Sequence, residues 1–165
     1  MNRKETTRFL SELLVQRKLL GKYYASEVTL DCGAGKSKEK RADFVQFVPR
    51  NQTTSGIEKG EFVFYEVKSC KADYHSGNGL NFEGDRNYVV TTMETYKQIM
   101  REVPWGVGMY VACPEHRELV DEFENPTPLD DDTVNWTLKI VKMAHPQDRQ
   151  RSMSQLLFYM LRSGK

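Results

Sequence analysis

The sequence predicts one α/β domain, in which a mixed central β-sheet is flanked by helices on both faces. Three observations support this fold class. Apolar residues recur with helical spacing near both ends of the chain. Three apolar segments separated by turn-rich stretches follow the first helix, as in an antiparallel meander. A later strand–helix–strand unit needs a right-handed parallel crossover, so the sheet must be mixed.

The first part of the chain is predicted to contain one helix and three strands. Residues 5–20 form an amphipathic helix, because Phe9 and several leucines recur near the 3.6-residue period and Gly21 can end the helix. The basic turn GAGKSKEKR and the polar loop PRNQTTSGIEKG separate the strands that follow. The last strand, EFVFYEVKSC, has the strongest signal, because it is rich in aromatic and β-branched residues. The strands are predicted over residues 23–32, 42–48 and 61–70.

The second part continues with a long glycine-containing loop and a strand–helix–strand unit. The acidic stretch over residues 119–132 is predicted to be an exposed connector, because proline-broken acidic runs are usually solvated. The chain ends in a helix over residues 152–164. We therefore predict a single domain over residues 1–165, with a core at about 5–114 and a C-terminal extension with a helix at 115–165. The loop is predicted at residues 71–86, the strand at 87–92, the helix at 93–103 and the next strand at 103–113.

Composition excludes several classes of protein. Of the 165 residues, 39% are hydrophobic and 28% are charged, which is typical of a globular protein. The net charge of +1 gives no global argument for a nucleic-acid or membrane partner, so such an argument must rest on local charge. No apolar run is long enough to cross a bilayer, and the N-terminal MNRKETTR lacks the apolar core of a signal peptide. Cys32, Cys70 and Cys113 form no CxxC pair, so we expect reduced thiols in a cytoplasmic protein.

Three charged residues stand out in the strands. Glu66 and Lys68 lie late in the most apolar strand, and they share one face because side chains alternate along a strand. Two buried charges are costly unless each has a partner or a metal ion. Asp43 lies near the start of the preceding strand, so pairing of the two strands brings its carboxylate towards that of Glu66.

This arrangement fits phosphodiester hydrolysis with a divalent metal ion. Converging carboxylate oxygens suit Mg²⁺ or Mn²⁺, which leave positions open for water and phosphate. Such an ion polarises a phosphoryl oxygen and lowers the pKa of a bound water. Lys68 is then placed to orient the water or to offset negative charge in the transition state. The alternative from the residues alone is that Glu66 and Lys68 form an ion pair on an exposed sheet face.

The sequence resembles the PD-(D/E)XK nuclease superfamily. The resemblance covers residues 10–114 and rests on the strings SEVTL, RADFVQF and YEVKSCKADY, followed by the strand–helix–strand unit. Within this superfamily it is most similar to the MmcB-like DNA-repair nucleases, which have a comparable E-V-K-S-x-x-x-D-[FY] string. The resemblance implies a restriction-endonuclease-like core with α-β-β-β-α-β order. One departure from the motif is Ala42, where the superfamily often has proline.

The resemblance also implies roles for individual residues. Asp43 and Glu66 correspond to the metal ligands, and Lys68 corresponds to the catalytic lysine. The backbone carbonyl of Val67 is expected to complete the coordination shell. The superfamily often adds an acid from the first helix, which corresponds to Glu12, while Glu27 in the first strand is the competing candidate.

Basic and aromatic residues near this site are candidates for nucleic-acid contacts. A basic turn directly precedes Asp43, where cations can meet a phosphate backbone. The alternative is a solvated turn whose charge is partly neutralised by Glu39. The turn residues are Lys36, Lys38, Lys40 and Arg41, and Lys71 and Tyr74 follow the ExK motif.

The sequence thus predicts a Mg²⁺- or Mn²⁺-dependent nuclease that acts on DNA, with RNA a weaker expectation and no membrane partner. Repair, recombination and phage or defence settings are all compatible with it. Cutting both strands with one small site would favour a homodimer or a protein partner. Two alternatives stay open. One is a catalytically silent nuclease-like fold that binds nucleic acid or protein, and the other is a structural interaction domain.

Overall fold

The computed structural model of the protein describes residues 1–33, 35 and 39–163, and its centre is a six-stranded β-sheet. The strands lie in the sheet in the order in which they occur in the sequence. They are β1 (Tyr23–Leu30), β2 (Lys40–Val48), β3 (Glu61–Val67), β4 (Arg86–Thr92), β5 (Gly108–Pro114) and β6 (Trp136–Lys142). The helices are α1 (Arg3–Leu14), α2 (Thr54–Glu58), α3 (Lys71–His75), α4 (Met93–Ile99), α5 (Leu119–Glu124) and α6 (Met153–Ser163).

The sheet is mixed, as the sequence predicts. Strands β1, β2 and β3 form an antiparallel meander. Strands β3, β4 and β5 are parallel, and α3 and α4 lie in the two crossover connections. Strand β6 pairs antiparallel with β5 at one edge. The predicted α/β fold class with a mixed central sheet is therefore confirmed.

Helices cover both faces of the sheet, so β3 is buried on both sides. On one face, leucines of α1 pack against Val63, Tyr65 and Val67 of β3. On the other face, α6 packs against β1 and β2 and against Phe62 and Phe64 of β3. Burial of an aromatic side chain of this size contributes about 1.5–3 kcal/mol. Phe62, Phe64 and Glu66 lie on the same face of β3, because side chains alternate along a strand. Glu66 is therefore the charged residue that ends this apolar face.

Helix α1 is fixed at its start by a capping box. The Asn2 side chain accepts a hydrogen bond from the backbone N–H of Glu5, and the Glu5 side chain accepts one from the backbone N–H of Asn2. The helix continues beyond Leu14 as one π-helical turn over Val15–Leu19. The N-terminal turns of α1 bring Arg3 and Thr7 to the site described below.

Three segments differ from the sequence-based expectation. Residues 136–142 form the edge strand β6, which was not predicted because only Leu138 in it is buried and the alternation is weak. Short helices occur in the predicted loops at 49–60 and 119–132, whereas the predicted loop at 71–86 contains the helical turn α3. The acidic connector is not fully solvated, because Glu122 of α5 is buried. Its carboxylate accepts hydrogen bonds from the backbone and hydroxyl of Thr127 and pairs with Arg117, which explains how a charge is tolerated there.

No helix in the described ranges is both long and apolar enough to cross a bilayer.

Candidate active site

A cavity of about 360 Å³ lies at the end of β3, between the sheet, α1 and the segment that follows β3. Asp43, Val67 and Lys68 reach it from the sheet. Arg3 and Thr7 reach it from α1, where their i, i+4 spacing places them on the same face of the helix. The segment after β3 closes the remaining side with Asp73, Asn78 and Gly79.

The pairing of β2 with β3 brings Asp43 and Glu66 together. Phe44 lies opposite Tyr65 and Val45 lies opposite Phe64, so the same antiparallel register places Asp43 next to Glu66. Cross-strand neighbours point to the same side of a sheet. The Asp43 carboxylate also accepts a 2.8 Å hydrogen bond from the backbone N–H of Val67, which fixes its orientation.

Glu66 is the most unusual side chain in this site. Its exposed fraction is 0%, and neither of its carboxylate oxygens has a hydrogen-bond partner among the described residues. Burial, followed by the nearby charge of Asp43, raises the pKa of Glu66 to about 10. Burial also raises the pKa of Asp43, although the Val67 N–H and the Lys68 ammonium oppose this shift. At both carboxyls, burial therefore outweighs the opposing charge of Lys68.

Lys68 is held at the same place by its backbone and by its side chain. Its backbone N–H donates to the Val90 carbonyl at 2.9 Å, and its carbonyl accepts from the Thr91 hydroxyl at 2.6 Å. The side chain is 3% exposed, and its ammonium donates to the backbone carbonyl of Asn78. The positive charge of Lys68 acts to lower the pKa of both Asp43 and Glu66, against the larger effect of burial. Lys68 therefore lies within electrostatic reach of both carboxyls.

Asp73 fixes the chain directly after the ExK motif. Its carboxylate accepts from the backbone N–H and the hydroxyl of Ser69, each at 3.0 Å, and from Arg3 at 2.7 Å. Burial acts to raise the pKa of Asp73, but the hydrogen bonds from Ser69 and the charges of Lys68 and Arg3 outweigh it and hold the pKa below its ordinary value. Asp73 thus stays ionised and ties α1 to the end of β3.

Gly79 contacts the buried carboxylate from the loop side. Its φ is +72°, and a Cβ at this position would lie 2.8 Å from Oε2 of Glu66 and 3.6 Å from Nζ of Lys68. Glycine is therefore required here for space as well as for the left-handed backbone. The nearby Gly77 also has a φ of +72°, but a Cβ there would meet nothing within 4 Å.

This difference gives a matched pair of variants. We expect Gly77→Ala to lower the free energy of unfolding by about 1 kcal/mol, because alanine is strained in the left-handed region. Gly79→Ala has the same backbone strain and an added clash with Glu66, so it should cost at least about 1 kcal/mol more. Urea denaturation of both variants measures the difference. Equal losses would contradict the contact between the loop and Glu66.

The two candidates for an additional acid lie outside this cavity. Glu12 is exposed on α1 and lines two other surface clefts, one with Trp136 and one with Asp130. Glu27 is exposed on β1, has a φ of +51°, and forms an ion pair with Arg41 at the cavity rim. The structure therefore brings neither glutamate to Asp43 and Glu66. Besides Asp43, the acidic residue that lines the cavity is Asp73.

The predicted nucleic-acid contacts are placed unevenly. Lys36 and Lys38 lie outside the described residues. Arg41 lines the cavity, whereas Lys40 forms an ion pair with Glu83 at 2.8 Å. Lys71 pairs with Glu102 at 3.7 Å. Tyr74 is buried against the core around α3 and α4, which leaves little of its ring for contact with a ligand.

Arg3, Thr7 and Asp73 were not predicted to belong to a metal or catalytic set. Asp73 carries a signal in the sequence, because it is the aspartate of the E-V-K-S-x-x-x-D-[FY] string. Arg3 and Thr7 carry none, since they precede the motif by a long stretch of chain and their place depends on how α1 docks.

The donor set fits a divalent cation in part. Within the described ranges no group of three or more His, Cys, Asp or Glu side chains could hold a metal ion. The side chains at this site therefore supply two carboxylates, those of Asp43 and Glu66. The two unpartnered oxygens of Glu66 beside the Asp43 carboxylate match the hard oxygen ligands that Mg²⁺ and Mn²⁺ prefer. Val67 lines the cavity, and its carbonyl oxygen is the type of neutral ligand that these ions accept. Waters and substrate phosphate complete the shell of Mg²⁺ in many proteins.

Comparisons with known proteins bear on the fold. No protein-family model matches the chain, and no curated protein matches it. A solved structure of a protein of unknown function from Silicibacter pomeroyi is similar, with a TM-score of 0.55 and 15% sequence identity. The match covers 96% of this chain and 82% of that chain. At this identity the similarity concerns the fold alone.

Proposed function

We propose that the protein is a divalent-metal-dependent nuclease that hydrolyses phosphodiester bonds, with DNA as its substrate. One observation carries the proposal. Glu66 is fully buried, neither of its oxygens has a partner among the described residues, and it lies next to Asp43. A buried carboxylate pair of this kind costs several kcal/mol unless a proton or a cation occupies it.

The proposed roles follow from the positions of the side chains. Asp43 and Glu66 would hold Mg²⁺ or Mn²⁺, with the Val67 carbonyl as a further ligand. When bound, the ion would polarise a phosphoryl oxygen and make a bound water more acidic. Lys68 would orient the attacking water and offset the negative charge that develops on phosphorus. Asp73 holds Ser69 directly after the ExK motif and so keeps Lys68 in place.

The preference for DNA over RNA, and for a repair, recombination or defence setting, rests on the resemblance to the PD-(D/E)XK superfamily. A cytoplasmic location is compatible with the three free cysteines, because free thiols persist in a reducing compartment.

Nicking of plasmid DNA and cleavage of single-stranded DNA in Mg²⁺ or Mn²⁺ test this function. We expect metal-dependent cleavage by the wild-type protein and a loss of about 1,000-fold in Asp43→Asn and in Lys68→Met. Both substitutions remove a charge with little change in shape. The exposed residues Asp132 and Lys59 provide the matched controls Asp132→Asn and Lys59→Met, which should cleave like wild type.

Two results would count against the proposal. Metal-dependent cleavage that survives both Asp43→Asn and Lys68→Met would show that the active site is elsewhere. Salt-sensitive DNA binding by the folded protein, with no cleavage in either metal, would favour a nucleic-acid-binding module instead.

A further inference from the structure

We infer that Arg3 of α1 and Arg41 of β2 form a two-point clamp for the phosphodiester backbone at the cavity that Asp43 lines. This inference deepens the proposed nuclease function, because it names the residues that would hold the strand on which the carboxylates act. It concerns binding, so it is testable without cleavage.

Arg3 forms one half of the clamp on the α1 side of the cavity. Its guanidinium donates from Nη2 to Asp73 at 2.7 Å, yet 61% of the side chain is exposed. Asp73 is itself fixed by Ser69, so the guanidinium is anchored through a short chain of hydrogen bonds to the residue that follows Lys68. A guanidinium has five N–H donors in a rigid fork, and one anchored edge leaves the fork able to meet a phosphate.

Arg41 forms the other half on the sheet side of the same cavity. It lies two residues before Asp43 on β2 and pairs with Glu27 of the neighbouring strand. The Arg41 side chain is 59% exposed, and it lines the cavity together with Asp43. Both arginines are therefore oriented by one carboxylate each, and more than half of each side chain is exposed.

The charge of the cavity favours an anionic ligand. Its lining includes three basic side chains, Arg3, Arg41 and Lys68, and two acidic ones, Asp43 and Asp73. Lys68 is buried, so the cations that an incoming ligand meets first are the two arginines. Arginine binds phosphate through two parallel hydrogen bonds, which gives position as well as attraction.

The positions of the two arginines favour a strand over a single phosphate. They come from different elements, α1 and β2, and line the same cavity as Asp43. A ligand that uses both cations and also presents a phosphate to Asp43 must carry several phosphates in a row. Contacts of this type go to the backbone and are independent of base sequence.

Fluorescence anisotropy with a labelled single-stranded oligonucleotide of about 16 nucleotides, in EDTA, tests the clamp without metal or cleavage. We expect Arg3→Ala and Arg41→Ala each to weaken binding about tenfold, and the double variant to lose both contributions. The slope of log K against log salt should fall by about 0.7 for each substitution. Inorganic phosphate should compete only weakly, because it can occupy one arginine at a time.

Controls separate charge from structure. Arg101→Ala removes an exposed arginine outside the cavity and should bind like wild type. Arg3→Lys keeps the charge and should restore part of the affinity, whereas a role of Arg3 confined to bracing Asp73 predicts no change in salt slope. Thermal denaturation of each variant verifies that it is folded.

Each outcome decides the inference. Wild-type affinity in both arginine variants, or a loss in one of them alone, would overturn the clamp, as would a wild-type protein that binds no oligonucleotide. Cleavage that depends on Asp43, together with unchanged binding in both variants, would remove the clamp and leave the nuclease. Binding that follows the two arginines, with no cleavage in any metal, would keep the clamp and remove the nuclease.

Discussion

Glu66→Gln should make the metal-free protein more stable at neutral and alkaline pH, although it removes a residue that we propose to be essential. The pKa of Glu66 is raised by burial from 4.5 in the unfolded chain to about 10 in the folded protein. At pH values between 4.5 and about 10, Glu66 must therefore take up a proton when the chain folds. The stability that the protonated carboxyl allows is fully present below about pH 4.5 and is lost as the pH rises towards 10.

The expected size of this effect is large. A shifted group changes the free energy of unfolding by about 1.4 kcal/mol per pH unit inside its window. Between pH 5 and pH 8 the wild-type protein should lose about 4 kcal/mol relative to Glu66→Gln. Glutamine has a similar size, carries no charge, and can donate an N–H to the Asp43 carboxylate. Urea denaturation of both proteins in EDTA across this range measures the difference.

Glu122→Gln is the matched control, because Glu122 is equally buried but fully partnered. Its carboxylate accepts two hydrogen bonds from Thr127 and pairs with Arg117. Loss of that charge should lower the stability at every pH in the range, since Arg117 is left without its partner. Parallel pH curves for wild type and Glu66→Gln would contradict the unpartnered state of Glu66.

Mn²⁺ should stabilise the wild-type protein, and the gain should increase with pH. A cation bound by Asp43 and Glu66 replaces the proton that the pair takes up on folding, so alkaline conditions favour the exchange. At a concentration 100-fold above the dissociation constant, binding adds about 2.7 kcal/mol. For a protein of 165 residues this corresponds to a rise in Tm of roughly 5 to 10 °C. Differential scanning fluorimetry at pH 6 and pH 8 measures it.

The same titration on variants locates the site. Asp43→Asn and Glu66→Gln should lose the Mn²⁺-dependent rise in Tm, whereas Asp132→Asn, which changes an exposed aspartate, should keep it. An equal rise in all four proteins would mean that Mn²⁺ binds elsewhere. No rise in the wild-type protein at either pH would remove the metal from the proposed mechanism.

The sequence was most informative where local pattern decides the structure. The strand signal of residues 61–67 and the polar loop before it were enough to predict the β2–β3 hairpin, which brings Asp43 to Glu66. Side chains alternate along a strand, and this alone predicts that Glu66 and Lys68 share one face. The structure packs β3 on both sides. These expectations depend on neighbours in the chain, so a single sequence contains the necessary information.

The sequence was less informative where distant segments meet. The choice between Glu12 and Glu27 depends on how α1 docks and on a local change in β1, and the positive φ of Glu27 had no signal. Arg3 reaches Asp73 across most of the first half of the chain, and no spacing rule relates the two. Tyr74 is predicted to contact nucleic acid because it follows the ExK motif, but it is buried in a cluster with Ile99 of α4.

The agreement between strand order in the sheet and strand order in the sequence has a consequence for folding. Each strand pairs with its neighbour in the sequence, so no strand has to insert between two strands that are already paired. Low sequence separation between contacting segments is associated with fast folding. Asp43, Glu66, Lys68 and Gly79 all lie in the first half, so the β2–β3 hairpin and its capping loop can assemble on a nascent chain before β5 and β6 are synthesised. The packing of α6 on β1 comes last, and it joins the end of the chain to its beginning.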